Sequence, residues 1–296
     1  MIEGVSIVLN KRIKWKRMGD ANNPTLVLLH GLGNNMSQWK DVEKQLSRHF
    51  DIFMFDLVGF GGSDDFEETE LNVSFPIWLM DELFTEFGIK KPILLGESFG
   101  GLLALEYTLK RQENVSKLVL MDSAGLGREI CLKYRLSTLP VLGEAFVSED
   151  ANYPGVEGIP IKPGSLFRIF SNIIRFAFVK IILRRPIQLD REEKNNLKLL
   201  RHGVNLFGQK PTIRRDKKLK QLKIPVLVLH GLEDVIFPLM QAVRAFGAIP
   251  NTWGNSPIFF KGGGHNPLNL DRYKDKLLAK ENIEKFVVSI IEFGLA

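Results

Sequence analysis

The sequence predicts an α/β architecture: a mostly parallel, eight-stranded sheet flanked by helices, with a helical segment inserted before the last strands. Three observations carry that prediction. Short apolar runs alternate with helical patterns from residue 25 to 121, and the alternation returns at 224. The central runs are continuously apolar rather than alternating, as expected of strands covered on both faces. One of them, residues 92–95, passes straight into Gly96-Glu97-Ser98-Phe99-Gly100 and then a helical stretch from Leu102. That is a sharp strand-to-helix turn with a serine at its apex.

Taken in order, residues 5–9 and 12–17 alternate apolar and polar around Asn10-Lys11, the pattern of an edge hairpin. Residues 25–30 are the first buried strand and run into His30-Gly31-Leu32-Gly33. Trp39, Val42 and Leu46 share one face of a helix expected over 36–50. The strand at 51–55 ends in the glycine-rich Asp56-Leu57-Val58-Gly59-Phe60-Gly61-Gly62-Ser63. A helix over 74–87 follows, with Pro76 in its first turn. Beyond the serine turn a helix runs to Arg111, and a strand over 115–121 closes on Asp122-Ser123-Ala124-Gly125. The alternation then stops. Residues 126–220 read as helical without strands, broken at Pro140, Pro154, Pro160, Pro163 and Pro186. An interruption of that length exceeds a loop and marks an inserted subdomain. The rhythm resumes with a strand at 224–230, a helix at 238–246 and a strand at 256–260. Lys261-Gly262-Gly263-Gly264-His265 follows, and a closing helix over 282–293 carries Ile283, Phe286, Val287, Ile290 and Ile291 on one face.

Bulk properties exclude several classes. The chain has 296 residues, a single cysteine (Cys131) and a net charge of +6. One cysteine allows no intramolecular disulfide, and no apolar run of signal length opens the chain, so a cytoplasmic location is expected. Basic residues crowd 168–223, including Arg184-Arg185, Arg214-Arg215 and Lys217-Lys218. No nucleic-acid-binding motif accompanies them, so they read as a solvated basic face, with weak contact to an anionic membrane surface left open. One cysteine and scattered histidines lack metal-ligand spacing, so no metal and no cofactor are expected.

A serine nucleophile needs a base, and the base needs an orienting acid. On a strained strand–helix turn the order along the chain is serine, acid, histidine. That order removes His30 and His49 and leaves His202, His230 and His265. His265, in the glycine-rich loop after the last strand, is the expected base; His202 lies in the insertion. Asp234, after the strand next to the histidine's, is the expected acid, with Asp122 the alternative and Glu233 pointing elsewhere. The oxyanion donors are expected to be the backbone N–H groups of Phe99 and Leu32, with Gly33 second to Leu32 and His30 bracing the loop.

Through His30-Gly31-Leu32-Gly33, the glycine-rich loop at Asp56, the elbow at Ser98, Gly231-x-x-Asp234-x-x-x-Pro238 and Gly264-His265, the chain resembles the α/β-hydrolase family. These motifs stand in the family's order over most of the chain outside the insertion. The resemblance implies a core of residues 1–125 and 221–296, a helical cap at 126–220 over the site, and a structural Asp56. The apolar stretch over 166–183, interrupted by Arg168, Arg175 and Lys180, then reads as a cap helix lining an acyl pocket, or as a lid touching a lipid interface. The family spans esterases, lipases, carbon–carbon bond hydrolases, epoxide hydrolases, dehalogenases, acyltransferases and hormone receptors. Its epoxide hydrolases and dehalogenases use an aspartate where this chain has Ser98. Its ring-cleavage hydrolases typically carry a tryptophan soon after the histidine, where this chain has Asn266-Pro267. The expected activity is therefore cleavage of a small carboxylic ester with an apolar acyl group, through an acyl-enzyme on Ser98. The alternatives are a carbon–carbon bond hydrolase on the same triad and a non-enzymatic small-molecule receptor.

Overall fold

The computed structural model describes residues 1–140, 143–144, 189–270, 273 and 275–296. The sheet strands are β1 (Ile2–Val8), β2 (Lys11–Met18), β3 (Thr25–Leu29), β4 (Asp51–Phe55), β5 (Ile93–Glu97), β6 (Lys117–Met121), β9 (Val226–Gly231) and β10 (Ile258–Phe260). Their order is β1-β2-β4-β3-β5-β6-β9-β10. β1 and β2 are antiparallel to their neighbours, and every pair from β4 to β10 is parallel. The continuous apolar runs are explained by two cores. In β3, Val27 and Leu29 enter the core on one face, while Leu26 and Leu28 enter the other. Helices α2 (Ser74–Glu86), α3 (Ser98–Lys110) and α6 (Leu239–Ala248) cover the first face; α7 (Lys276–Leu295) covers the second with Phe286, Ile290 and Phe293.

Two expectations are corrected. The helix expected over 36–50 is a 3₁₀ turn, Met36–Trp39, and a short α1, Glu43–Leu46. Trp39, Val42, Leu46 and Phe50 are all fully buried, so two short turns satisfy the apolar spacing that a single helix would have. The interval 126–220 also contains a strand pair. Beside α4 (Leu132–Leu136) and α5 (Arg191–Gly203) lies a small hairpin of β7 (Val204–Asn205) and β8 (Gly208–Gln209). The Asn205 side chain accepts the Phe207 N–H at 2.8 Å, and Gly208 takes a φ of +119°. This is local turn chemistry that a search for long apolar runs passes over. The prolines at 154, 160, 163 and 186 and the apolar stretch over 166–183 lie outside the described residues. Among the described residues no helix is long and apolar enough to cross a membrane.

Candidate active site

Parallel strands all finish at the same edge of the sheet, so the residues that follow them collect there. Register makes this concrete. Glu97 pairs with Met121, and Met121 pairs with Leu229. One residue further along each chain stand Ser98, Asp122 and His230, in a row across β5, β6 and β9. β10 pairs with β9 through Phe260 and Gly231, and the loop beyond it brings in His265.

Ser98 sits at a φ of +52°, a left-handed conformation that costs a non-glycine residue roughly 1–3 kcal/mol. Crowding on both sides holds it there. A Cβ at Gly96 would run into the Gly100 carbonyl, and one at Gly100 into the Leu29 and His30 carbonyls. The serine therefore stands between β5 and the N-terminus of α3, half-buried. It lines a cavity of about 170 Å³ together with Leu32, Phe99 and His265. The expected oxyanion residues thus share the cavity that Ser98 lines; Gly33 is exposed beside the Asn196 side chain. His30 is fully buried. Its Nδ1 lies 2.8 Å from the Gly31 carbonyl and its Nε2 accepts the Leu57 N–H at 2.9 Å. Burial lowers its pKa to about 4, so the ring is neutral and braces the loop from both nitrogens. Asp56 accepts the Met36 and Gly62 N–H groups, each at 2.8 Å, which gives it the structural position expected of it.

His265 meets Asp234 through Nδ1, 2.9 Å from Oδ2. The other Asp234 oxygen accepts the N–H groups of Ile236 at 2.7 Å and Phe237 at 3.0 Å, which aims the carboxylate at the ring. Asp122 is turned elsewhere. It accepts the Gly231 N–H at 2.8 Å and the Asn266 N–H at 3.3 Å, and its Oδ1 lies 3.1 Å from His230 Nδ1. Burial, reinforced by the Asp234 charge, pushes the Asp122 carboxyl well above the usual carboxylate range. Burial also lowers His230. A neutral His230 that donates from Nε2 to the Phe237 carbonyl at 3.2 Å presents an acceptor nitrogen to Asp122, which fits a protonated Asp122. Of the two candidate acids, Asp234 is the one in contact with His265. Glu233 accepts the Gly262 N–H at 2.7 Å and takes no part. His202 lies on α5 in the cavity wall, and His49 is exposed.

Sequence reasoning missed Glu97. Its side chain is almost wholly buried, and Oε1 lies 3.2 Å from His265 Nε2, the nitrogen opposite the one Asp234 holds. Its signal was a carboxylate ending the otherwise apolar β5. Burial alone would depress His265, but the Glu97 and Asp234 charges override it and hold the imidazole at about 9. Glu97, Asp122 and His265 bring side-chain donor atoms within 4.8 Å of one another, and so do Asp122, His230 and Asp234. Three contacts within this cluster are short: His265 Nδ1 to Asp234 at 2.9 Å, His265 Nε2 to Glu97 at 3.2 Å and His230 Nδ1 to Asp122 at 3.1 Å. Away from it the lining is mostly apolar, with Phe55 from β4 and Phe75, Leu79 and Met80 from α2, beside polar Glu70, Asn72 and Gln209.

A family model described as alpha/beta hydrolase fold matches residues 24–167. An uncharacterised protein of Mycobacterium tuberculosis (strain ATCC 25618 / H37Rv) is 27% identical over 258 residues, covering 84% of this chain and 72% of its own. The pimeloyl-[acyl-carrier protein] methyl ester esterase of Proteus mirabilis (strain HI4320) is 34% identical over 113 residues, 38% of this chain and 41% of that one. Among solved structures, the 2-hydroxy-6-oxo-6-phenylhexa-2,4-dienoate hydrolase from Rhodococcus sp. strain RHA1 superposes with a TM-score of 0.68 at 21% identity. It covers 96% of this chain and 98% of its own.

Proposed function

We propose that this chain, which belongs to the α/β-hydrolase fold family, is a serine hydrolase that cleaves carboxylic esters through an acyl-enzyme on Ser98. The observation that carries the reading is the Asp234–His265 pair, 2.9 Å apart, on the cavity that Ser98 enters from a strained turn. In this reading Ser98 Oγ attacks the ester carbonyl as its proton passes to His265 Nε2, and Asp234 stabilises the imidazolium through Nδ1. The Leu32 and Phe99 N–H groups hold the oxyanion. The imidazolium then protonates the departing alcohol, and a water activated by the same nitrogen releases the acid. The apolar wall from Phe55 to Met80 suits an apolar acyl group, as does the ester chemistry named for the Proteus mirabilis relative. Residues 126–220 serve as the cap over that pocket, and the protein acts in the cytoplasm on a small-molecule substrate.

The test is multiple-turnover release of nitrophenol from acetate, butyrate and octanoate esters, with fluorophosphonate labelling of Ser98. Turnover that Ser98→Ala abolishes is the expected result. Cleavage of a ring-fission dienone with no ester turnover would replace this reading with carbon–carbon hydrolysis. Tight binding without turnover would replace it with a receptor.

A further inference from the structure

The Glu97 side chain does more than touch His265. Its Oε2 lies 3.4 Å from Gln38 Nε2, and Gln38 Oε1 accepts the Gly31 N–H at 3.1 Å. A Cβ at Gly31 would meet the Glu97 carboxylate, so the glycine lets the carboxylate lie close against this loop. One carboxylate therefore spans from the far nitrogen of the base to the loop expected to hold the oxyanion. We propose that Glu97 is a second carboxylate for His265, a positioning residue that grips Nε2 and ties the ring through Gln38 to the Gly31–Leu32 loop. This rests on His265 acting as the base for Ser98, as proposed above.

The chemistry follows from the two contacts. When His265 is protonated, both of its N–H groups face carboxylates, and the ring has no lone pair for Ser98. When it is neutral, Nε2 turns its lone pair toward Glu97, and that contact becomes repulsive. Glu97 thus opposes formation of the free base and favours the imidazolium that appears when Ser98 gives up its proton. The other titratable groups that act on His265 are Asp234 and His230 from β9 and its loop and Asp122 after β6, while Glu70, Tyr134 and His202 line the same cavity. Asp234 stays in place in a Glu97 variant, so the effect of Glu97 can be read against it. The elevated proton affinity of His265, about 9, is what two facing carboxylates would produce.

Glu97→Gln keeps the shape and the Gln38 contact but removes the charge. The expected result is that the rise of fluorophosphonate labelling with pH moves about 1–3 pH units toward acid, as removal of a nearby opposite charge requires. The high-pH plateau of labelling falls, because a less basic imidazole is a weaker base and the amide NH₂ now facing Nε2 competes for its lone pair. In the parent protein, ¹⁵N-histidine NMR at pH 7.5 should show His265 doubly protonated, and Glu97→Gln should titrate it at lower pH. Unchanged titration of His265 in a folded Glu97→Gln overturns the proposal. Should that variant not fold, the parent spectrum decides alone: a neutral His265 at pH 7.5 overturns it, and a doubly protonated ring supports it. Failure of the parent to label at any pH would instead refute the serine-hydrolase reading, while the NMR titration would still judge Glu97.

Discussion

Asp234→Asn tests the acid assignment through a tautomer rather than a lost contact. Asp234 Oδ1 is held by the N–H groups of Ile236 and Phe237 at 2.7 and 3.0 Å, while Oδ2 faces His265 Nδ1 at 2.9 Å. A carboxamide must keep its oxygen on the two N–H donors, so its NH₂ turns toward the imidazole. Nδ1 then has to accept, the ring proton moves to Nε2, and the nitrogen that should take the Ser98 proton is already occupied. The expected loss in turnover is about 10⁴-fold, or ~5.4 kcal/mol at 1.36 kcal/mol per factor of ten. The volume is unchanged and the Ile236 and Phe237 N–H groups keep their acceptor, while the protonated His265 loses its Nδ1 partner, so any loss of folding stability has to be read separately from the loss of turnover. The assay is kcat/KM on nitrophenyl butyrate, with thermal melts of each variant. Asp122→Asn serves as the comparison, because Asp122 holds Gly231 and Asn266 N–H groups rather than the base. If Asp234→Asn stays within about tenfold of the parent and Asp122→Asn loses roughly 10³-fold or more, the orienting acid is Asp122 and the reasoning fails.

His265 binds its proton more tightly when folded, at about 9, than an unfolded histidine does at about 6.5. Its contribution to stability is therefore full below a pH of about 6.5 and is lost as pH rises through about 9. Paired melts of the parent and His265→Gln should show the parent's relative stability falling over that window; a gap independent of pH would contradict it. Met80 is fully buried in the cavity wall, so Met80→Phe should narrow the acyl pocket. Octanoate esters should lose kcat/KM more than acetate esters, and an equal loss on both would remove the wall from the acyl site. Arg215 and Glu106 form a buried ion pair beside Lys110, joining the chain after the hairpin to α3. Arg215→Ala should cost roughly 3 kcal/mol in urea unfolding by leaving a buried carboxylate short of its partner. Burial alone would raise Glu106, but Arg215 overrides it and holds the carboxyl below its ordinary value, so that cost should shrink as the pH drops through the carboxylate range.

The features readable from the chain before folding are local. The strand–serine–helix turn was legible because Gly96 and Gly100 flank Ser98 between an apolar run and a helical one, all within a few residues. His265 and Asp234 were expected at the site because each follows a strand of the parallel sheet, and parallel strands must end at one edge. The helix expected over 36–50 failed because periodicity reports which residues are buried, not how many turns bury them. Which carboxylate meets which histidine nitrogen depends on the folded sheet. Asp122 and Asp234 both end up at the edge; strand adjacency favours Asp234 in the sequence, but the contact itself is made in space. The order β5-β6-β9-β10 and its register turn Asp234 toward Nδ1, bring Glu97 to Nε2 and leave Asp122 with His230. Those contacts join residues far apart in the chain across a few ångströms of space, and side-chain direction there is set by strand pairing and packing, which act only once the sheet has formed.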